Sequence, residues 1–269
     1  MVPGSTYRER LPPAALAEHV LCVWSQVIGA GQEVCRHRVL PDGCADLVWI
    51  GAAPPVVAGP ARGPVVVALA PRAIVVGLRL RPGAVPGVLG VPASELLDRD
   101  TPLAEIWGRG AAGLAARVAE QASVAGRQMA AEAALFERLR TARPPDRTIL
   151  AASRWLARHP AGRIATLARV LEVGERRLHR RFTAAVGYGP KTFQRVMRLQ
   201  RLLALARRQP RSRARSGATL AAAAGYADQA HLARELRALT GQTAGALLPD
   251  AACTLELSEL FKTAPGAAP

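Results

Sequence analysis

The strongest constraint on the fold is a pattern that occurs twice in the second half of the chain. Ile164, Leu167, Ala168 and Leu171 sit three and four residues apart, which places them on one face of a short helix. A turn at Glu172-Val173-Gly174 follows, and then Glu175-Arg176-Arg177-Leu178-His179-Arg180-Arg181-Phe182. In that second helix Leu178 and Phe182 point inward at i and i+4, which leaves Arg176, His179 and Arg180 on the outer face. Leu220-Ala221-Ala222-Ala223-Ala224, a break at Gly225-Tyr226-Ala227 and the stretch from Asp228 to Leu236 repeat the plan. Leu232 and Leu236 take the places of Leu178 and Phe182, so Arg234 matches Arg180 and His231 matches His179. Between the copies the spacing predicts one long helix over 190–208, with Leu199, Leu202, Leu203 and Ala206 as its buried stripe.

Charge follows the same division. The chain has 269 residues and a net charge of +16. Residues 1–142 hold 14 Arg against 12 Asp and Glu, residues 143–249 hold 21 Arg and Lys against 5, and residues 250–269 hold 1 against 3. The excess therefore sits in the segment that carries the repeat, and a segment so charged is attracted to a polyanion through counterion release. Arginine richness alone is also a product of genome composition, and a single basic helix reads equally well as a solvated face. The near-neutral, equally arginine-rich first half argues against composition as the whole cause.

From about residue 20 to 80 the pattern is different: short apolar runs cut by Gly and Pro, at 21–24, 39–40, 47–50, 65–69 and 74–80. These predict strands of a small sheet or barrel, with Pro41-Asp42-Gly43 as a turn in which Pro presets φ and Gly accepts the positive φ that follows. After Gly90 the sequence turns helical, with Ser94 capping a turn, Thr101-Pro102 opening a helix through Ile106 and Trp107, and Ala-rich helix over 111–140. Arg143-Pro144-Pro145-Asp146 breaks that helix. Further helices are expected over 149–156, 164–171, 175–185, 220–224 and 228–239. The expected class is α+β: a β-rich N-terminal sensor-like domain followed by helices over 1–142, an all-α C-terminal domain over 146–248, and a disordered tail over 249–269.

Composition excludes several classes. Half the residues are apolar and 21% are charged, which is globular. The longest apolar candidate for a membrane span, 65–78, is broken by Pro71 and Arg72, and Met1-Val2-Pro3-Gly4 lacks the basic start of a secretory signal, so a cytoplasmic location is expected. Four cysteines in such a chain are expected to be free thiols.

A bracing helix, a turn and an amphipathic helix offering arginines outward is the layout of a helix-turn-helix, in which the second helix faces the major groove. The arginine fork donates two bonds to guanine O6 and N7, or clamps a phosphate. Two such units on one long helix resemble the AraC family of transcriptional regulators. The resemblance covers about residues 146–248 and rests on Leu167-Ala168, Arg177-Leu178, Arg181-Phe182, Gly187-Tyr188-Gly189-Pro190, Phe193 and Arg198. It continues in Ala224-Gly225-Tyr226, Asp228-Gln229, His231-Leu232, Arg234-Glu235 and Gly241-Gln242-Thr243. It implies that the second helix of each unit enters successive major-groove segments, with Arg176, Arg177, His179 and Arg180 in the first unit and Gln229, His231 and Arg234 in the second as DNA contacts. Lys191, Arg195, Arg211 and Arg213 are candidate phosphate contacts, the last two in a stretch that reads equally as a solvated basic loop. Departures are Glu172 where the family carries a turn glycine, Gly174 at a capping position, Leu236 for an aromatic and Ala244 for a proline.

The stretch from Leu40 to Trp49 resembles the N-terminal domain of a subset of these regulators, as do Val76-Gly77-Leu78-Arg79-Leu80-Arg81-Pro82-Gly83-Ala84 and Leu97-Asp98-Arg99. The implied partners are double-stranded DNA at a promoter or operator, a small-molecule effector, RNA polymerase and a second copy as homodimer, with no membrane and no cofactor. Cys22, Cys35, His37 and Cys44 have metal-ligand chemistry but no C-x-x-C spacing, so the cysteines read as buried free thiols before they read as metal ligands. Asp42 and Asp46 read as turn and strand-edge acceptors, since no nucleophile or base accompanies them. His19, His159 and the tryptophans at 24, 49, 107 and 155 read as structural. The chain is not expected to be an enzyme. Two competitors are a charge-only nucleic-acid binder, and a first domain with a repair-type activity, which needs a cysteine of depressed pKa.

Overall fold

The structure, a computed structural model, describes residues 5–31, 34–207 and 217–247. The expected tail over 249–269 and the loop that carries Arg211 and Arg213 lie outside them.

The N-terminal half is built on a six-stranded antiparallel sheet. Its strands are β1 (Thr6–Arg10), β2 (Val20–Val27), β4 (Ala45–Ile50), β5 (Val56–Ala58), β7 (Ile74–Leu80) and β8 (Asp100–Pro102), in the order β1-β2-β7-β4-β5-β8. β3 (Cys35–Val39) and β6 (Val65–Leu69) form a separate antiparallel pair, with Cys35 opposite Leu69 and Val39 opposite Val65. Side chains alternate along each strand, and this divides the large sheet into two faces. Leu47, Trp49, Val76, Leu78 and Leu80 look to one side, where they pack on Val88, Leu89, Leu103, Ala131 and Leu135 of the covering helices. Trp24, Val48 and Val75 look to the other, toward Cys35 and Leu69 of the small sheet.

The covering helices are α1 (Val85–Leu89), α2 (Leu103–Trp107), α3 (Gly110–Ala119) and α4 (Val124–Leu139). The expected continuous helix over 111–140 is two helices. Ser123 takes extended backbone and accepts the Gly126 N–H, so it caps a new helix and the chain turns there. Thr101-Pro102 does not open its helix as expected: it closes β8 against Val56 and Val57, and α2 starts at Leu103.

Among the described residues the C-terminal half holds helices and no strand: α5 (Arg147–Arg158), α6 (Ile164–Val170), α7 (Glu175–Val186), α8 (Pro190–Arg207), α9 (Gly217–Ala224), α10 (Gln229–Thr240) and α11 (Ala244–Leu247). Asp146 caps α5 by accepting the Thr148 and Ile149 N–H groups, and its carboxylate also takes the Arg181 guanidinium at 2.7 Å. The chain is α+β, a β-rich region followed by helices and then an all-helical region.

The two halves share a core. Leu21, Leu40 and Cys44 of the β region belong to the same apolar cluster as Ile149, Phe182, Phe193 and Met197. The contact centres on the Pro41-Asp42-Gly43-Cys44 turn. Gly43 has φ +86, and a Cβ there would lie 2.7 Å from the Phe193 ring and 3.2 Å from the Met197 methyl. One helical turn along α8, Gln200 Nε2 donates to the Pro41 carbonyl at 2.6 Å. Nearby, Arg38 donates to the Thr240 carbonyl at the end of α10 at 3.1 Å.

Candidate nucleic-acid interface

Each unit is closed by the same turn. At the end of α6 the Val173 N–H reaches the Ala168 carbonyl at 2.9 Å and the Glu172 N–H reaches Arg169 at 3.1 Å. At the end of α9 the Tyr226 N–H reaches Ala221 at 3.0 Å and the Gly225 N–H reaches Ala222 at 3.0 Å. This pair of bonds is the Schellman ending, which needs a left-handed residue at its centre. Gly225 supplies it at φ +94, and in the first unit Glu172 adopts φ +51 where glycine would sit at less cost. The departure at Glu172 thus leaves the turn intact. Gly174, at φ −62 and ψ 140, precedes α7 without a side-chain cap, whereas Asp228 caps α10 by accepting the His231 N–H at 2.6 Å. From left-handed residue to first buried leucine the second turn is one residue longer, Gly225 to Leu232 against Glu172 to Leu178.

The outer faces follow. Leu178, Phe182, Ala185 and Val186 bury one side of α7, and the Phe182 ring meets Phe193 edge-on at 5.4 Å. α7 packs on α1 and on the turn at 93–95, with Gly187 just past its C-terminal end against Pro60 and Ala93, and its first turns carry the basic residues. There Arg176, Arg177, His179 and Arg180 are exposed. His179 is the least free of them, because its ring lies over Gly189, where a Cβ would come within 2.5 Å of Nε2. In α10, Leu232, Leu236 and Leu239 are buried while Gln229 and Arg234 are exposed.

Two expected contacts are engaged elsewhere. His231 is half-buried: Nδ1 accepts the Ala227 N–H at 3.2 Å, Nε2 lies 3.3 Å from Glu235, and the ring stands edge-on to Tyr226. Both ring nitrogens have partners within the protein. Arg195 likewise lies 3.3 Å from Glu235. Lys191, in the first turn of α8, is exposed.

Glu235 is a hub that sequence reasoning did not assign. Arg198 of α8 meets its carboxylate with two bonds, at 3.0 and 2.6 Å, donates a third to the Pro160 carbonyl at 2.8 Å, and lies over the Tyr226 ring. Burial pushes the Glu235 carboxyl up, but Arg198 and His231 outweigh it, and the net shift is downward. One guanidinium thus ties the long helix to the second unit and to the loop before the first. Gln194 adds a bond to the Gly162 carbonyl at 2.6 Å. The signal in the sequence was weak: Arg198 and Glu235 stood in the family pattern without a stated partner.

The candidate metal ligands are placed differently. Cys35 and His37 alternate along β3, Cys22 is on β2 and Cys44 closes the turn. Among the described residues no three His, Cys, Asp or Glu side chains converge as metal ligands would. Cys22, Cys35 and Cys44 are buried thiols, and burial with Asp42 nearby pushes Cys44 up, the opposite of an activated nucleophile. No described helix is long and apolar enough to cross a membrane.

Residues 167–249 match the family model described as a helix-turn-helix domain, and residues 8–102 match a domain of unknown function, DUF6597. No curated protein matches the chain. Among solved structures, an apo variant of ToxT from Vibrio cholerae is similar at 12% identity, covering 84% of this chain and 96% of that one, with a TM-score of 0.43. ToxT from Vibrio cholerae O395 is similar at 10% identity, covering 84% of this chain and 95% of that one, with a TM-score of 0.41. With a matched helix-turn-helix domain, a second unit whose first helix ends in the same way and arginines exposed on both second helices, the C-terminal region is a helix-turn-helix region of the kind that binds DNA.

Proposed function

We propose that the protein reads two successive major-groove segments of a promoter or operator, one with α7 and one with α10, and that a ligand in the N-terminal domain modulates the reading. The observation that carries the first part is the pair of exposed faces on two units fastened to one buried helix. Arg176, Arg177 and Arg180 supply the first face and Gln229 and Arg234 the second, with His179 at the margin and Lys191 on phosphate. Arg195 and His231 act from within, by holding Glu235. The reading carries with it the cytoplasmic location expected from the sequence. The resemblance adds RNA polymerase and a second copy of the chain as protein partners.

Modulation is supported by the turn at Pro41-Asp42-Gly43-Cys44. Its Pro41, Asp42 and Cys44 line a cavity of about 280 Å³ between the two sheets. Its Gly43 and the Pro41 carbonyl seat α8. What fills the cavity and what carries the recognition helices therefore share one four-residue wall.

Selection from a random duplex library at physiological salt, followed by mobility shift on the winner, tests the reading. Arg180→Ala and Arg234→Ala are each expected to cost about 1–3 kcal/mol, roughly 5- to 150-fold in Kd, and to relax base preference at different positions of the site. Weakening that is equal for every duplex, with no position relaxed, would establish charge-only binding instead.

A further inference from the structure

We propose that the cavity between the two sheets binds a small organic cation, an amine on an apolar body, with the charged end against Asp46 and Asp42. That such a ligand modulates DNA binding rests on the reading above; that it binds does not.

Much of the wall is apolar, with Val48, Ile50, Val67 and Val75 in it, and its charged members are Asp42, Asp46, Arg79, Asp98, Arg99 and Asp100. Arg79, its side chain 3% exposed, faces three carboxylates: Asp46 at 3.2 Å, Asp42 at 3.4 Å and Glu9 at 3.5 Å. One guanidinium against three carboxylates leaves negative charge in a buried place, and buried charge that is not neutralised is costly. An anion entering beside Arg79 would meet carboxylates already gathered round that guanidinium. A cation would complete the balance.

The remaining groups fit a cationic guest. The Trp24 ring lines the cavity, held by its indole N–H on Asp46 at 2.8 Å, and an aromatic face attracts an ammonium. The ring has room because position 77 is glycine; a Cβ there would fall 2.1 Å from the indole. His37 also lines the cavity. It is 8% exposed, its Nε2 has no hydrogen-bond partner, and burial holds it below its usual range, so it is a neutral imidazole able to accept an N–H. A buried acceptor without a donor costs free energy, and an ammonium has three donors. Burial raises Asp46 to about 6, with Arg79 opposing and Asp42 adding to the rise. In the empty site a proton on Asp46 supplies below that pH the neutralisation that a cation supplies above it. The charged and titratable groups facing Asp46 are Arg79 on β7, Asp42 and Cys44 in the turn, Cys22 on β2, and Glu9 and Tyr7 on β1.

Calorimetric titration of the full chain, without DNA, tests this with phenethylamine and hexylamine against their isosteres phenethyl alcohol and phenylacetate. At about pH 8 the amines are expected to bind one per chain, at least about tenfold tighter than alcohol or acid. Asp46→Asn is expected to lose that preference while far-UV circular dichroism is unchanged. Should the variant not fold, the wild-type chain still decides: amine affinity falls, with proton release, as the pH drops from about 8 to about 5. Absence of amine binding, equal binding of the isosteres, or affinity indifferent to both Asp46→Asn and pH overturns the proposal. A mobility shift on the selected duplex is read separately, so a chain that reads DNA but binds no amine refutes the cavity's ligand and leaves the DNA reading standing. A chain that binds amine but selects no duplex does the reverse.

Discussion

Gly43→Val is expected to destabilise the protein by about 2–5 kcal/mol, measured as a lowered midpoint in urea at unchanged slope. Two effects add. At φ +86 a β-branched residue stands in the left-handed region, at a cost of about 1–2 kcal/mol. Its side chain would also enter the space of Phe193 and Met197, and overpacking of a filled core costs about 1–3 kcal/mol more. Gly51 separates the two. It has φ +55 but nothing within 4 Å of an added Cβ, so Gly51→Val carries the backbone strain without the collision. If the two substitutions cost the same, the turn is not seated on α8 and the coupling between cavity and linker helix fails. If Gly43→Val costs more, the same variant should also alter affinity for the selected duplex, because α8 carries both recognition helices.

Glu235→Ala is expected to cost about 3–5 kcal/mol, since it removes one partner of a pair whose side chains are only 10% and 12% exposed. Arg198 would keep the Pro160 carbonyl but lose its two carboxylate bonds, and Arg195 and His231 would lose theirs. DNA contacts from the second unit should weaken before those from the first. A double-mutant cycle with Arg198→Ala isolates the pair, and a coupling near zero would contradict the role of that guanidinium as the fastener. The pH dependence has a definite sign. The Glu235 carboxyl is lowered from its ordinary 4.5, so its stabilisation is fully present above that value and is lost as the pH falls through the lower, folded-state value. Glu235→Gln should flatten that acid limb while changing little in side-chain volume.

Most of the helical half could be read from spacing, because each helix carries its own apolar stripe and its own punctuation. Pro190 opens α8, Asp146 caps α5, and Gly225 and Gly241 take the positive φ that ends a helix. The β half was legible only where strands are long. β5 is three residues between Pro55 and Gly59, and it is a strand because β4 and β8 pair with it, not through any run of its own. β1 reads Thr-Tyr-Arg-Glu-Arg, with Tyr7 its one apolar side chain, and owes its place to β2.

The site was legible as a face and not as a network. Helical periodicity placed His231 and His179 at equivalent positions, yet Tyr226 and Glu235 draw the first inward, while Gly189 makes room beside the second. Both outcomes depend on residues whose approach is set by the turn and the long helix, which local spacing does not encode. Trp24 reads as core by its apolar neighbours, but its ring borders a cavity and its nitrogen holds a carboxylate. The seat of Gly43 on Phe193 joins residues far apart in the chain, and only the turn itself could be read beforehand.

Guanine-methylation interference on the selected duplex tests the central claim most directly. The account predicts two clusters of sensitive guanines on one face of the helix, about 10 base pairs apart, the first lost in Arg180→Ala and the second in Arg234→Ala. A single cluster unaffected by Arg234→Ala would contradict paired reading.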